Sequence, residues 1–285
     1  MRILITGANG QLGLAMQRAL DDEEAIPLSH VDLDITDEEA VTLVVNMNRP
    51  DVVINCAAWT DTAGCEKDPE RARRANGEGP GFIASACAEV GATLVHISSN
   101  EVFDGDKGIA YLELDPVNPV NEYGRSKLLG EHTVAANLAE HQIVRTSWLY
   151  GPGRVSFPEK ILERAKADGS LKVVTDEIAT PTWTIDLAGA IGQLIKHKEY
   201  GIFHLANDGS CSRHEWAHAI VEECGLDVPV DETEQGALDM PFRKPVDSTL
   251  ANTRAAELGI RMRPWREALA DHLRETGAVP QGARR

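Results

Sequence analysis

Apolar residues fall along this chain in short unbroken runs, separated by longer stretches with helical spacing. Ile3-Leu4-Ile5, Val52-Val53-Ile54 and Leu94-Val95 are the plainest of the runs. A run of this kind, bounded by turn residues, marks a strand buried on both faces, as in a parallel sheet. The pattern predicts further strands over 25–29, 51–56, 93–98, 141–147 and 201–206, with a short one over 171–175. Between them, 14–20, 78–90, the segment continuing from Tyr123, 161–167 and 185–196 have the periodicity of helices. Strand and helix in alternation predict an α/β fold: a doubly wound parallel sheet with helices on both faces. A smaller C-terminal α/β unit is expected to follow it. Because 201–206 reads as a strand returning to the main sheet, the two units are expected to interleave. The first is 1–150 plus about 176–208, and the second is 151–175 plus 209–285.

Composition narrows the partners. With 285 residues and 42% hydrophobic content there is ample chain for a proper core. A net charge of −17 argues against nucleic acid and anionic membranes, which are bound by clustered Lys and Arg. An anionic ligand must then be met by local cations and backbone N–H groups. The cysteines at 56, 65, 87, 211 and 224 have no C-x-x-C spacing and are odd in number, so neither a disulfide framework nor a zinc ribbon is indicated. Met1 leads straight into the first strand, and no apolar run approaches the roughly 20 residues needed to span a bilayer. The expected compartment is the cytoplasm.

Two stretches carry candidate chemistry. After the first strand comes Thr6-Gly7-Ala8-Asn9-Gly10-Gln11-Leu12-Gly13, whose glycines permit a tight turn, close approach of backbone to a pyrophosphate and close packing of helix on strand. The spacing is G-x-x-G-x-x-G, not the G-x-G-x-x-G of the simplest dinucleotide fingerprint. Farther on, Tyr123-Gly124-Arg125-Ser126-Lys127 sets a phenol and an ammonium on one helix face. A lysine there is expected to lower the phenol's pKa from its reference of about 10, towards a useful proton donor. Ser99 and Trp148 stand at strand ends, where an open parallel sheet places its ligand crevice. Past the second strand, Leu28-Ser29-His30 offers neither the carboxylate that holds the ribose of NAD nor the permanent cation that accommodates the phosphate of NADP.

Taken together these residues make the chain similar to the extended short-chain dehydrogenase/reductases, and within them to the dTDP-4-dehydrorhamnose reductases. The resemblance runs nearly end to end. It rests on the glycine turn, on Pro50-Asp51-Val52-Val53-Ile54-Asn55-Cys56-Ala57-Ala58 and on Val102-Phe103-Asp104-Gly105. Tyr123-Gly124-x-Ser126-Lys127-Leu128-x-Gly130-Glu131, Arg145-Thr146-Ser147-Trp148-x-Tyr150-Gly151 and the tail from Pro245 to Trp265 extend it. The resemblance implies a Rossmann-like domain binding NADPH or NADH through Gly7, Gly10, Gln11, Leu12, Gly13, Asp34, Ile35, Ala57, Ala58, Tyr123 and Lys127. It implies Ser99, Tyr123 and Lys127 as catalytic residues, with Thr60, Ser99, Glu101 and Trp148 toward the substrate. That substrate would be a dTDP-sugar or related nucleotide sugar, whose 4-keto group is reduced. A homodimer is an assembly that the sequence leaves open. Asp34 has a second reading as the cap of the helix before Glu38.

Glu101 departs from these reductases, which usually carry Tyr there. Sugar-nucleotide dehydratases on the same scaffold place Thr-Asp-Glu where this chain has Ser99-Asn100-Glu101, so a dehydratase or epimerase is one rival reading. A non-catalytic reductase-like subunit is another. Finally, His214-Glu215-Trp216-Ala217-His218 matches H-E-x-x-H, but Ser212 and Glu215 also form S-x-x-E. A helix-starting capping box is preferred there, and no metal is expected.

Overall fold

Alternate residues of the buried strands serve opposite faces of one sheet, which is why the runs are apolar throughout. In the computed structural model, which describes residues 1–238 and 241–279, Ile3 and Ile5 join one core while Leu4 joins another. The strands in chain order begin with β1 (Arg2–Thr6), β2 (Glu24–Leu28), β3 (Val52–Asn55), β4 (Thr93–Ser99) and β5 (His141–Thr146). Then follow β6 (Leu149–Tyr150), β7 (Leu171–Val174), β8 (Ile178–Ala179), β9 (Thr182–Trp183), β10 (Gly201–His204), β11 (Cys211–Ser212) and β12 (Val230–Thr233). Six of them form the all-parallel sheet β10-β5-β4-β3-β1-β2.

The chain reverses its direction of winding between β1 and β3, and that switch point is where a crevice opens. One face is covered by α1 (Gln11–Ala19) and α8 (Thr184–Leu194), through residues such as Met16, Leu187 and Ile191. The other is covered by α2 (Glu38–Asn48), α5 (Gly79–Val90) and α6 (Glu122–Asn137), through Val45, Ile83 and Val134. The sheet is therefore doubly wound. Residues 31–37 form turns, so β2 is the edge strand, where Pro27 sits without breaking a central ladder. Asp37, not Asp34, caps α2 by accepting from the N–H of Ala40 at 3.0 Å.

A separate core joins α7 (Phe157–Asp168), α9 (Arg213–Glu223) and α11 (Trp265–Glu275) around Trp216. The parallel pair β7–β12, the antiparallel pair β8–β11 and the pair β6–β9 lie with these helices. Within 209–285, Ala255 of α10 (Thr253–Glu257) and Ile260 pack with the main sheet instead. Ser212 and Glu215 do form the capping box that starts α9, and His214 Nε2 pairs with the Val230 carbonyl at 2.8 Å. Among the described residues no group of three or more His, Cys, Asp or Glu could hold a metal ion, and no helix is long and apolar enough to cross a membrane.

Between α3 (Thr62–Lys67) with the short α4 (Pro69–Ala72) and the start of α5 the helix widens into an i→i+5 turn over Arg73–Glu78. Such turns cluster at functional sites. This one drives Asn76 inward, where its amide accepts from Trp59 N–H at 2.8 Å and donates to Trp59 O and Ser126 Oγ. The loop after β3 is thereby tied to α6.

Candidate active site

The C-terminal ends of β1, β3, β4 and β5 open into one cleft of about 1070 Å³, and every site residue proposed above lines it. At one end lies the glycine turn. Gly7 has φ +66°, and a Cβ there would stand 2.7 Å from Ala57 N, while one on Gly13 would stand 2.3 Å from Gly7 O. Gly10 is the N-cap of α1 and brings no side chain to it, so the first-turn N–H groups remain open to an anion. A pyrophosphate fits such a cradle. Gln11 braces it from the side, donating to the carbonyls of Gly151 and Arg154 at 3.1 and 3.3 Å. Beyond β2, Asp34 accepts from the N–H and hydroxyl of Thr36 at 2.9 and 2.8 Å. Those bonds hold its carboxyl below the usual carboxylate range.

In the middle of the cleft Ser99, Tyr123 and Lys127 converge. Ser99 ends β4 and caps the 3₁₀ turn Asn100–Val102 by accepting from Glu101 N–H at 3.1 Å. Tyr123 comes from the first turn of α6, whose N-cap Asn121 accepts from Gly124 N–H at 2.8 Å. Gly124 is required by contact: a Cβ on it would lie 2.1 Å from the Glu101 carbonyl. That closeness brings the phenol beside the turn. Lys127, one helical turn on, is 2% exposed and donates to the Ile97 carbonyl at 2.7 Å.

The electrostatics correct one expectation. Tyr123 is not shifted down by Lys127: burial and then the Glu101 carboxylate push the phenol up, opposed by a hydrogen bond with Ser99. Lysine is the group that moves toward neutrality. Desolvation lowers Lys127 to about 8, against the pull of Glu131. A basic limb of the kcat/KM profile that Lys127 sets should show activity falling as pH rises through about 8. In a Lys127→Arg variant, whose side chain stays charged, that limb should vanish from whatever activity remains. A limb unchanged in that variant would assign it elsewhere.

Glu101 is held in place from two sides. Lys244 Nζ donates to one carboxylate oxygen at 2.7 Å, and Asn121 Nδ2 donates to the other at 2.8 Å. Asn100, where the dehydratases carry Asp, donates to Ser248 Oγ at 2.6 Å. Trp148 projects from beyond β5 with φ +43°, a backbone region rare for large side chains. Its ring lines the cleft and also stacks on Trp216 at 5.6 Å, with the Arg213 guanidinium 3.6 Å from its centroid. Trp148 thus lines the cleft and packs against the core around Trp216 at once. Thr60 stands exposed on the far lip.

Against known proteins, the RmlD substrate binding domain family model matches residues 1–277. The chain belongs to that family. The RmlD-family chain is 42% identical to a dTDP-4-dehydrorhamnose reductase of Mycolicibacterium smegmatis, over 99% of this chain and 88% of that one. Among solved structures it is similar to a dTDP-4-dehydrorhamnose reductase of Clostridium acetobutylicum, with TM-score 0.94, 40% identity and coverage of 97% and 100%. It is similar also to the Bacillus anthracis reductase crystallised with NADP, with TM-score 0.93, 36% identity and coverage of 96% and 99%. Sequence reasoning missed several residues of this RmlD-family site. Asn121, Lys244 and Ser248 are among them, together with the buried Glu131–Arg145 pair behind Lys127. For Asn121 the signal was present, as an Asn directly before a helical segment.

Proposed function

We propose that this chain reduces the 4-keto group of a nucleotide-activated 6-deoxy sugar with NADPH or NADH, a step of deoxysugar biosynthesis. The observation that carries the reading is the placement of Tyr123 and Ser99, over a buried Lys127, in the same cleft as the glycine cradle. A reduced nicotinamide, when bound, supplies the hydride. Gly7, Gly10 and Gly13 with the N-terminus of α1 would hold its pyrophosphate, and Lys127 its ribose. Ser99 orients the carbonyl oxygen of the sugar. Tyr123 then gives its phenolic proton to that oxygen as negative charge develops there, a transfer that needs the phenol protonated beforehand. Burial and Glu101 keep it so. Lys127 stabilises the phenolate left behind.

The dehydratase reading is disfavoured by position 100. Elimination needs an acid to protonate the departing hydroxyl, and the Asn100 amide, already bonded to Ser248, cannot serve. Incubation with a panel of nucleotide 4-keto sugars should consume reduced nicotinamide and keto sugar one for one. If a dTDP-hexose instead loses the mass of water with no net consumption of cofactor, the reductase reading gives way to the dehydratase.

A further inference from the structure

We infer that Arg74, carried on the widened turn Arg73–Glu78, supplies the cation for the 2′-phosphate of NADPH, so that this chain favours NADPH over NADH. The inference rests on the dinucleotide-site reading above and names its selectivity residue. In folds of this kind the adenosine ribose lies past the end of the second strand, where a carboxylate selects NAD and an arginine accommodates the phosphate of NADP. Just past β2 there is no arginine, only Ser29 and His30. The carboxylates there are each bonded within their own turn through one oxygen only. Asp32 is tied to its own turn, accepting from the N–H and hydroxyl of Ser29 at 2.9 and 2.6 Å, and Asp34 is likewise tied to Thr36.

Arg74 approaches this region from a different element. It lines the same cleft as His30, Asp34 and the glycine turn. Its position follows from the i→i+5 turn, which breaks the ordinary helical rotation between α4 and α5. The carboxylates on its own helix are taken by its neighbour: Arg73 Nε donates to Glu70 at 3.0 Å, and Arg73 also pairs with Glu78. Arg71, which also lines the cleft, lies over the Trp59 ring at 4.3 Å. Arg74 is thus left as a guanidinium with no hydrogen-bonded carboxylate among the described residues. Its charge still reaches Asp34 and Glu70. A forked guanidinium that shares the cleft with a histidine, and that no carboxylate holds by a hydrogen bond, suits a phosphate monoester.

The test uses the purified full chain and two fragments of the cofactor, adenosine 2′,5′-bisphosphate and 5′-AMP, titrated calorimetrically. They differ only in the 2′-phosphate. Wild type should bind the bisphosphate about tenfold more tightly or better, the size of one charge-assisted bond to an exposed group. Arg74→Gln should bring the ratio of the two dissociation constants near unity, Arg74→Lys should keep part of it, and the kcat/KM ratio for NADPH over NADH should fall in step. An Arg74→Gln protein that keeps the wild-type ratio overturns the inference. So does an equal loss for both fragments in a variant whose circular dichroism matches wild type, because it assigns Arg74 to the adenosine body. If wild type binds neither fragment, the dinucleotide-site reading fails and takes this inference with it.

Discussion

Tyr123→Phe lowers kcat by about 10²–10⁴-fold, the usual worth of a positioned general acid, and leaves the dissociation constant for the cofactor within about twofold. The ring and its packing are kept, and only the donated proton is lost. No other group stands in readily: the Ser99 hydroxyl is a weaker acid than a phenol and directs its proton to Asn100 Oδ1 at 3.3 Å, and Lys127 donates to the Ile97 carbonyl. Because the phenol is shifted up and not down, it bears its proton at every pH where the enzyme works. The variant's loss should accordingly be the same on both sides of neutrality, below the Lys127 limb. Steady-state kinetics with saturating cofactor, beside a direct cofactor titration, gives both quantities. A variant turning over at a near-normal rate would remove Tyr123 from the mechanism.

The second large effect is on stability. Arg145→Met should lower the free energy of unfolding by about 3–5 kcal/mol, the cost of leaving one member of a buried ion pair alone. Arg145 and Glu131 are each 3% exposed and meet through two bonds of 2.8 and 2.6 Å. Ser98 Oγ adds a 2.5 Å bond to the same carboxylate, and Arg145 lies opposite Ser98 in the β4–β5 register. The guanidinium further donates to Glu113 O at 3.2 Å and sits over Phe103. Removing both charges, as Arg145→Met with Glu131→Gln, should recover part of the loss. Denaturant midpoints for the single and double variants measure it. A single variant as stable as wild type would show that the pair contributes nothing beyond its shape.

The sheet was legible because parallel strands covered on both faces must be apolar at every position, and Ile3-Leu4-Ile5 or Val52-Val53-Ile54 have no other soluble use. The glycine turn and the Tyr123–Lys127 spacing were legible because their chemistry depends on residues close together in sequence. Other features depend on burial or on distant chain segments, and these were not. The direction of the Tyr123 shift follows from enclosure and from Glu101, which no spacing rule weighs. Lys244 meets Glu101 across 143 residues and carries no local mark of doing so. The turn at Arg73–Glu78 also escaped notice, since an i→i+5 step looks like ordinary helix in apolar periodicity.

Val102-Phe103-Asp104-Gly105 turns out to be a dock. Phe103 stacks on Tyr111 at 4.1 Å, Asp104 accepts from the Tyr111 hydroxyl at 2.6 Å, and the bare backbone of Gly105 lets residues 245–247 pass against it. Tyr111 N–H then donates to Thr249 O, and Asn100 reaches Ser248 across 148 residues. A ribosome therefore synthesises every strand of the main sheet, through His204, before it makes the segment that braces the turn Asn100–Val102. At the usual 5–20 residues per second that interval lasts seconds, during which Glu101 has no Lys244 to meet. Synthesis that stops short of Lys244 leaves Glu101 without its cation.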